Sequence, residues 1–260
     1  MTTDEVYPNP TVREVHFEIR FPNLFFIEGK IGDFQLGIMK EFPQSKLLLR
    51  RHLVFADVGP EAKLEQLPQE IEDERRGKVW QFLSGTGVQV NVMTSALGIH
   101  SSRHRTYSNP SAESRFRDTI EFVVSNFLRV ANLPVIERLG LRYMDVCPLP
   151  QKTNAVLQDY YNTALPVGRF AIDDAEIMQF VALVKRNGFS LRYTEALQPK
   201  EKSDQLLLDF DASAAYVKAG EYLSVTDRLH ELISDEYERT IKEPVRCFMR
   251  QHPAESGSTP

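Results

Sequence analysis

Residues 11–21, TVREVHFEIRF, decide the fold. Apolar and polar side chains alternate along this segment, and the apolar ones are Val15, Phe17, Ile19 and Phe21. Successive side chains of a β-strand point to opposite faces, so this alternation predicts a strand with one buried face.

The chain on either side of this strand predicts further strands and two helices in the first half. Strands are expected at 47–55, 78–83, 88–93 and 135–146, and helices at 31–42 and 113–129. Ser84-Gly85-Thr86-Gly87 predicts a hairpin turn and not a phosphate loop, because no Lys-Ser/Thr ending and no helix follow it.

The second half repeats this pattern loosely. A short helix is expected at 154–161, strands at 177–186, 189–195 and 205–211, and a long helix at 224–241. Asn187-Gly188 predicts a tight hairpin turn. Ser224 and Asp227 resemble a capping box at the start of the long helix, and Pro244 is expected to end or kink it.

These elements predict an α+β fold with two antiparallel-sheet halves, each covered by a long helix on one face. The rhythm is similar to that of tandem ferredoxin-like units. The segment from Pro148 to Thr153 is the expected boundary between an N-terminal half, 1–150, and a C-terminal half, 151–260. Residues 252–260 are expected to be a disordered tail.

Composition excludes several classes of protein. The 260 residues are 42% hydrophobic and 26% charged, which is typical of a globular chain and not of a disordered one. The net charge of -5 argues against a dedicated nucleic-acid binder. Residues 57–77 carry most of the acidic excess and are expected to form an exposed excursion. The two cysteines, the acidic start and the lack of a long apolar run favour a cytoplasmic protein without a membrane segment.

Four short blocks carry a resemblance to a known family. They lie at 9–21, at 80–83, at 140–146, and at 207–211 followed by Leu229-His230 and 237–241. In this order they resemble the sporadically distributed bacterial family of uncharacterised proteins, which are about as long as this chain. The resemblance implies no assigned activity, and a patchy distribution that suits mobile or defence-associated genes. Asp145 departs from the family's pattern, which more often has Asn there.

Three groups of side chains are candidate sites. In the loop 100–105, Arg103, His104 and Arg105 are typical of a contact to an anion, a nucleotide or a nucleic-acid backbone, since Arg matches phosphate and a helix follows. The alternative is a solvated loop whose charges pair locally.

Asp209 and Asp211 form an acidic pair on one face of a strand, which suits Mg²⁺ binding or acid–base chemistry. The alternative is a charged ladder in which Arg192 pairs with them. His16, Glu18 and Arg20, with Arg142 on a partner strand, line a cleft if the second half covers that face. Otherwise they form an exposed face.

The sequence predicts no metal site and no cofactor, because the spacing of its His and Cys residues matches no metal or redox motif. The catalytic residues are unknown, and whether the chain is an enzyme is left open. We therefore expect a non-enzymatic binding or interaction protein with a protein partner or self-association, acting as an accessory or regulatory component in bacterial defence or a mobile element. The alternative is a nucleotide- or RNA-processing enzyme that uses the Arg/His loop and the acidic pair.

Overall fold

The computed structural model describes residues 6–51, 76–104, 106–198 and 205–251. Within these ranges the chain forms nine strands, five α-helices and one turn of 3-10 helix, Ala219–Glu221. The elements in chain order are β1 Val12–Arg20, α1 Ile27–Ile38, β2 Gln44–Arg51, β3 Arg76–Leu83, β4 Gln89–Val92, β5 Ala96–Ser101, α2 Phe116–Ala131, β6 Val135–Pro148, α3 Asn154–Tyr160, β7 Gln179–Arg186, β8 Phe189–Gln198, β9 Gln205–Lys218, α4 Tyr222–Thr240 and α5 Glu243–Arg250.

All nine strands belong to one antiparallel sheet, in the order β2-β3-β4-β5-β1-β6-β9-β8-β7. Strand β6 pairs with β1 on one side and with β9 on the other, so the sheet runs without a break from the first half of the chain into the second. The α+β class is confirmed. The ferredoxin-like arrangement of two halves is not confirmed, because the nine strands form one continuous sheet and not two separate ones.

A row of cross-strand partners identifies the buried face of the sheet. Ile99, Phe17, Leu141, Ala212 and Leu191 lie side by side on β5, β1, β6, β9 and β8, and each is at most 1% exposed. The alternation that predicted β1 is thus the alternation of a core strand.

The longer helices pack on this buried face. The ring of Phe34 in α1 lies 5.5 Å from Phe82 of β3 and 5.7 Å from Phe127 of α2. Tyr237 of α4 lies 6.2 Å from Phe210 of β9. Helices α1 and α2 therefore cover one end of the sheet, and α4 covers β6 and β9.

The opposite side of the sheet, which we call the open face, is polar. The same five strands present His100, His16, Arg142, Asp211 and Arg192 in a row there. A charged row of this kind is typical of a sheet face in contact with water.

The local predictions succeed where turn chemistry is strong. Asn187 and Gly188 have φ angles of 53° and 83°, as a tight hairpin turn between β7 and β8 requires. Helix α4 ends at Thr240 and α5 begins at Glu243 with Pro244 in its first turn, so the predicted break is confirmed.

Two local predictions are wrong. The predicted capping box does not form: α4 begins at Tyr222, and the Ser224 hydroxyl donates to the carbonyl of Glu221. Strand β5 was not predicted at all, because it is short and its buried positions Leu97 and Ile99 are followed by the buried but polar Ser101.

Several predictions fall on residues outside the described ranges. These are most of the acidic excursion 57–77, the side chain of Arg105, and the tail 252–260. Among the described residues, no helix is long and apolar enough to cross a membrane.

Candidate binding pocket

A pocket of about 450 Å³ lies on the helix side of the sheet, where the start of β1 and the middle of β6 meet α4, α5 and the loop 106–109. This volume is in the range of small-molecule sites. We call it the helix-side pocket. Its aromatic lining residues are Tyr7, Tyr107, Tyr143, His230 and Tyr237, and its acidic ones are Asp145, Asp227, Glu231 and Glu238.

Asp145 lies in the wall of this pocket because of the register of β6. Leu139, Leu141, Tyr143 and Asp145 occupy every second position of the strand, so all of them fall on the buried face. The Thr11 hydroxyl donates to Asp145 Oδ1 over 2.8 Å. Burial nevertheless raises the pKa of Asp145 to about 7, since a charged carboxylate is costly away from water.

A short chain of hydroxyl groups orients Asp145. The Tyr237 hydroxyl lies 2.6 Å from Thr11 Oγ1. Because Thr11 donates its only proton to Asp145, Tyr237 is the donor in this second contact. Burial raises the pKa of Tyr237 well above its usual value, so the phenol stays protonated and keeps this direction.

Tyr143 brings an unused polar group to the same wall. Its hydroxyl is enclosed and forms no hydrogen bond with any part of the chain that the structure describes. Burial raises the pKa of Tyr143, so the group remains a neutral donor and acceptor. Buried hydroxyls without a partner are uncommon in folded proteins, and such a group in a pocket wall is available to a ligand.

The opposite wall joins the loop 106–109 to α2 and α4. The ring of Tyr107 stacks on His230 at 4.1 Å, and its hydroxyl donates to Asp227 Oδ1 over 2.7 Å. Arg117 donates to both oxygens of Asp227, over 2.8 and 3.0 Å. Burial lowers the pKa of His230 to about 4, so this imidazole is neutral at physiological pH.

The Arg/His loop places His104 inside the protein and Arg103 at its surface. His104 is buried, and its Nδ1 lies 2.8 Å from the Ser101 hydroxyl. Its Nε2 lies 3.1 Å from the hydroxyl of Ser114 and 3.2 Å from that of Thr119. Both ring nitrogens are thus engaged inside the protein, and burial lowers the pKa of His104 to about 4, which leaves it without charge. Arg103 is exposed, and Arg105 lies outside the described residues.

The acidic pair lies on the open face and is held in ion pairs. Arg142 donates to both oxygens of Asp209 over 2.7 Å, and Arg138 donates to Asp211 over 3.1 Å. These partners come from β6, whereas the sequence predicted Arg192 of β8. The carboxylates are therefore neutralised by neighbouring arginines.

The other predicted residues are brought together on the open face, on the side of the sheet away from α1, α2 and α4. His16 is opposite Arg142, and Glu18 accepts from Arg20 over 2.6 Å. Burial and the neighbouring His100 lower the pKa of His16. Glu14, which was not among the predicted site residues, joins this group: its Oε2 lies 3.1 Å from His16 Nε2.

Sequence reasoning missed the residues of the helix-side pocket. One indication was present: Asp145 continues the period of Leu139, Leu141 and Tyr143, so a carboxyl group stands in an apolar position. Asp227, Arg117 and Tyr107 carry no such indication, because they come from separate elements that only the packing brings together.

Comparisons with known proteins identify no relative: no family model matches the chain, and no curated protein and no solved structure matches it.

Proposed function

We propose that this chain is a binding protein for a small organic cation, an amine or quaternary ammonium compound, that is held in the helix-side pocket. The observation that carries the proposal is the pairing, on one wall, of the buried Asp145 carboxyl with the unpartnered Tyr143 hydroxyl. An amine ligand donates to both through its N–H groups, and the positive charge of an amine or of a quaternary ammonium group stabilises the ionised form of Asp145.

The aromatic lining supports a cation over a neutral or anionic ligand. Tyrosine ring faces attract positive charge, and the pocket is lined by Tyr7, Tyr107, Tyr143 and Tyr237. Arg117 is the one arginine that the described residues contribute to the lining, and it is bound to Asp227, so it offers no free guanidinium to an anion.

The experiment is a calorimetric titration of the full chain at pH 8 with two cations, choline and tyramine. Each is paired with a neutral isostere, the tert-butyl analogue of choline and tyrosol. We expect at least one cation to bind and its neutral isostere to bind at least about tenfold more weakly, because the isostere lacks the charge that attracts the Asp145 carboxylate. Tyramine also donates a hydrogen bond to this charged group, which contributes roughly 1.5–3 kcal/mol.

Two variants locate the binding. We expect Asp145→Asn to weaken cation binding at least about tenfold, and Tyr143→Phe to weaken it about three- to tenfold, because a neutral hydrogen bond contributes about 0.5–1.5 kcal/mol. Asp159→Asn removes an exposed carboxyl of α3 and serves as the matched control. Equal binding of cation and isostere, or unchanged binding in Asp145→Asn, contradicts the proposal.

The accessory role in bacterial defence or mobile elements remains a proposal that rests on the family resemblance. The expected self-association has a candidate surface on the edge strand β7, where Leu183 is 74% exposed. An edge strand offers unpaired backbone groups to a second copy of the chain. Light scattering tests this: we expect a dimer that Leu183→Lys dissociates, and a monomer at every concentration contradicts it.

The alternative, a nucleotide- or RNA-processing enzyme, remains a hypothesis that the geometry favours less. Three strand spacings, about 14 Å, separate β5, which leads to Arg103, from β9, which carries the acidic pair. RNA or nucleotide turnover that disappears in Asp209→Asn favours this alternative.

A further inference from the structure

The open face carries a second group of chemically active side chains, independent of the helix-side pocket. Glu14 and His16 are two residues apart on β1 and so share a face, and His100 of β5 is the cross-strand partner of His16. One ligand atom from each of the three lies within 4.8 Å of the others. We call these residues the histidine–glutamate cluster.

The distances in the cluster match those of a metal site. Glu14 Oε2 lies 3.1 Å from His16 Nε2 and 3.5 Å from His100 Nε2. In a tetrahedral zinc site with bonds of about 2.0–2.1 Å, two ligand atoms lie about 3.3 Å apart. Two edges of the ligand triangle therefore have nearly the required length before any side chain moves.

The two histidine rings differ in their hydrogen bonds: the His16 ring shares one with the Glu14 carboxylate, whereas the His100 ring has none at Nε2 within the described residues. They stack at 4.5 Å. Within the described residues, the enclosed His100 Nε2 forms no hydrogen bond, although it faces the Glu14 carboxylate. A buried ring nitrogen without a partner is costly, and a metal ion held between the nitrogens and the carboxylate would satisfy all three groups.

We propose that Glu14, His16 and His100 bind a divalent first-row transition-metal ion, with Zn²⁺ as the reference ion. Two imidazoles and one carboxylate suit Zn²⁺, whereas Mg²⁺ and Ca²⁺ prefer oxygen ligands alone. Three protein ligands leave a fourth position for water or a further ligand. Arg142 lies beside His16, but its charge is balanced by the bidentate contact to Asp209.

The position of the cluster in the sheet favours a preformed site. Strand β1 is the middle strand of nine and is paired on both sides, by β5 and β6. Ligands on paired strands are held more rigidly than ligands on loops, so little entropy is lost when a metal binds.

The test uses the full chain without an affinity tag, stripped of metal by a chelator and titrated with ZnCl₂ by calorimetry. We expect one ion per chain. A parallel titration with CoCl₂ reports the ligands, because four- or five-coordinate Co²⁺ absorbs strongly in the visible and the hydrated ion does not. The proposal is overturned if the wild-type chain gives neither a heat of zinc binding nor the visible absorption of bound Co²⁺, and no variant is needed for this outcome.

Variants assign the site. Loss of a group that merely supports a ligand already weakens metal binding about 10–100-fold, so His16→Gln and His100→Gln should each weaken it at least about 100-fold. Glu14→Gln should also weaken it, whereas Glu18→Gln, the next carboxylate on the same face of β1, should leave it unchanged. Zinc binding that survives both histidine substitutions places the metal elsewhere and rejects this site.

Discussion

Asp145 and Glu195 are both carboxylic acids on the buried face of the sheet, but their environments differ. Glu195 accepts hydrogen bonds from the amide of Ala164 over 2.8 Å, from the hydroxyl of Tyr193 over 3.0 Å, and from the hydroxyl of Thr163. Thr11 is the one hydrogen-bond donor that the described residues give Asp145. The hydrogen bonds of Glu195 are those of a structural residue. Asp145 has fewer donors, so its carboxylate is left with acceptor capacity that a ligand can use.

Asp145→Asn is expected to stabilise the folded chain at high pH. The pKa of Asp145 is about 7 in the folded chain and ordinarily 3.8, and this difference corresponds to up to about 4 kcal/mol of destabilisation above pH 7. The buried Asn amide is poorly paired and costs about 1–3 kcal/mol. The free energy of unfolding should therefore rise by a net of about 1–3 kcal/mol at pH 8.

Urea unfolding at two pH values checks this prediction. A raised carboxyl pKa destabilises the folded chain only where the unfolded chain has lost its proton, so the cost grows between about pH 4 and pH 7 and then stays constant. The cost that Asp145→Asn removes should therefore be absent at pH 4. The assigned protonation of Asp145 is contradicted if Asp145→Asn stabilises the chain as much at pH 4 as at pH 8. It is also contradicted if the variant is less stable than the wild-type chain at pH 8.

Cation binding to the helix-side pocket should weaken below pH 7. A cation binds the ionised form of Asp145, and the proton competes with it once the pH falls below the pKa of about 7. Affinity should then drop by up to about tenfold for each pH unit. A quaternary ammonium probe avoids titration of the ligand, and His230, with a pKa of about 4, stays neutral down to about pH 5.

The measurement is the dissociation constant of the probe between pH 5.5 and 8.5, for the wild-type chain and for Asp145→Asn. The wild-type chain should bind the probe more weakly as the pH falls below about 7. Asp145→Asn should bind it weakly at every pH in this range. A pH-independent wild-type affinity excludes a direct contact between the cation and Asp145.

Among the elements, α2, α4 and the loop 106–109 are joined at a single carboxylate. Asp227 of α4 accepts from Arg117 of α2 and from Tyr107 of the loop. Asp227→Asn removes the charge that holds Arg117, and we expect it to lower the free energy of unfolding by about 1–3 kcal/mol. The loop forms a wall of the helix-side pocket, so binding of the cation should weaken as well.

Denaturant titration measures this effect against a matched control. Arg117 also approaches Glu121, but at 3.5 Å and on the surface, so Glu121→Gln should cost less than about 0.5 kcal/mol. The double variant Arg117→Gln with Asp227→Asn should cost less than the sum of the single ones, since they remove one interaction. If the losses in unfolding free energy of the two single variants simply add in the double variant, Arg117 and Asp227 do not interact directly.

Local chemistry predicts the elements of this fold better than it predicts their arrangement. Residues 11–21 and the Asn187-Gly188 turn follow rules of period and backbone angle that act within a few residues. Strand β5 was not predicted because it is short and the polar Ser101 follows Leu97 and Ile99 at its third alternating buried position. The strand order depends on pairs far apart in sequence, such as His16 with His100 and Phe17 with Ile99, and no local pattern encodes those.

The candidate sites show the same limit. The sequence placed His16, Glu18 and Arg20 on one face correctly, because they lie on one strand. It did not bring His100 to them, since that contact depends on β5 and its register. It also grouped His104 with Arg103 and Arg105 as a candidate anion contact, whereas the packing of α2 buries His104 against Phe116 at 5.1 Å.

For the molecule as a whole, strand β6 is the element that joins the two halves of the chain. Its residues from Val135 to Pro148 pair with β9, which lies in the second half, while β1 pairs with its other edge. Helix α4 of the second half packs on β6 and contributes His230 beside Tyr143. Each half alone would expose a long edge of β6 or β9 together with its apolar face.

We therefore expect the chain to unfold in one cooperative transition and its halves not to fold separately. Circular dichroism and fluorescence should give coincident denaturant curves for the full chain. Fragments 1–150 and 151–260, made separately, should lack native stability, whereas the same fragments produced together should associate, because the cut falls in the connection after β6 and leaves every strand pair intact. Two separate transitions, or a stably folded fragment 1–150, would show that the sheet joins independent domains. In that case the helix-side pocket, which takes residues from both halves, would form only when they dock.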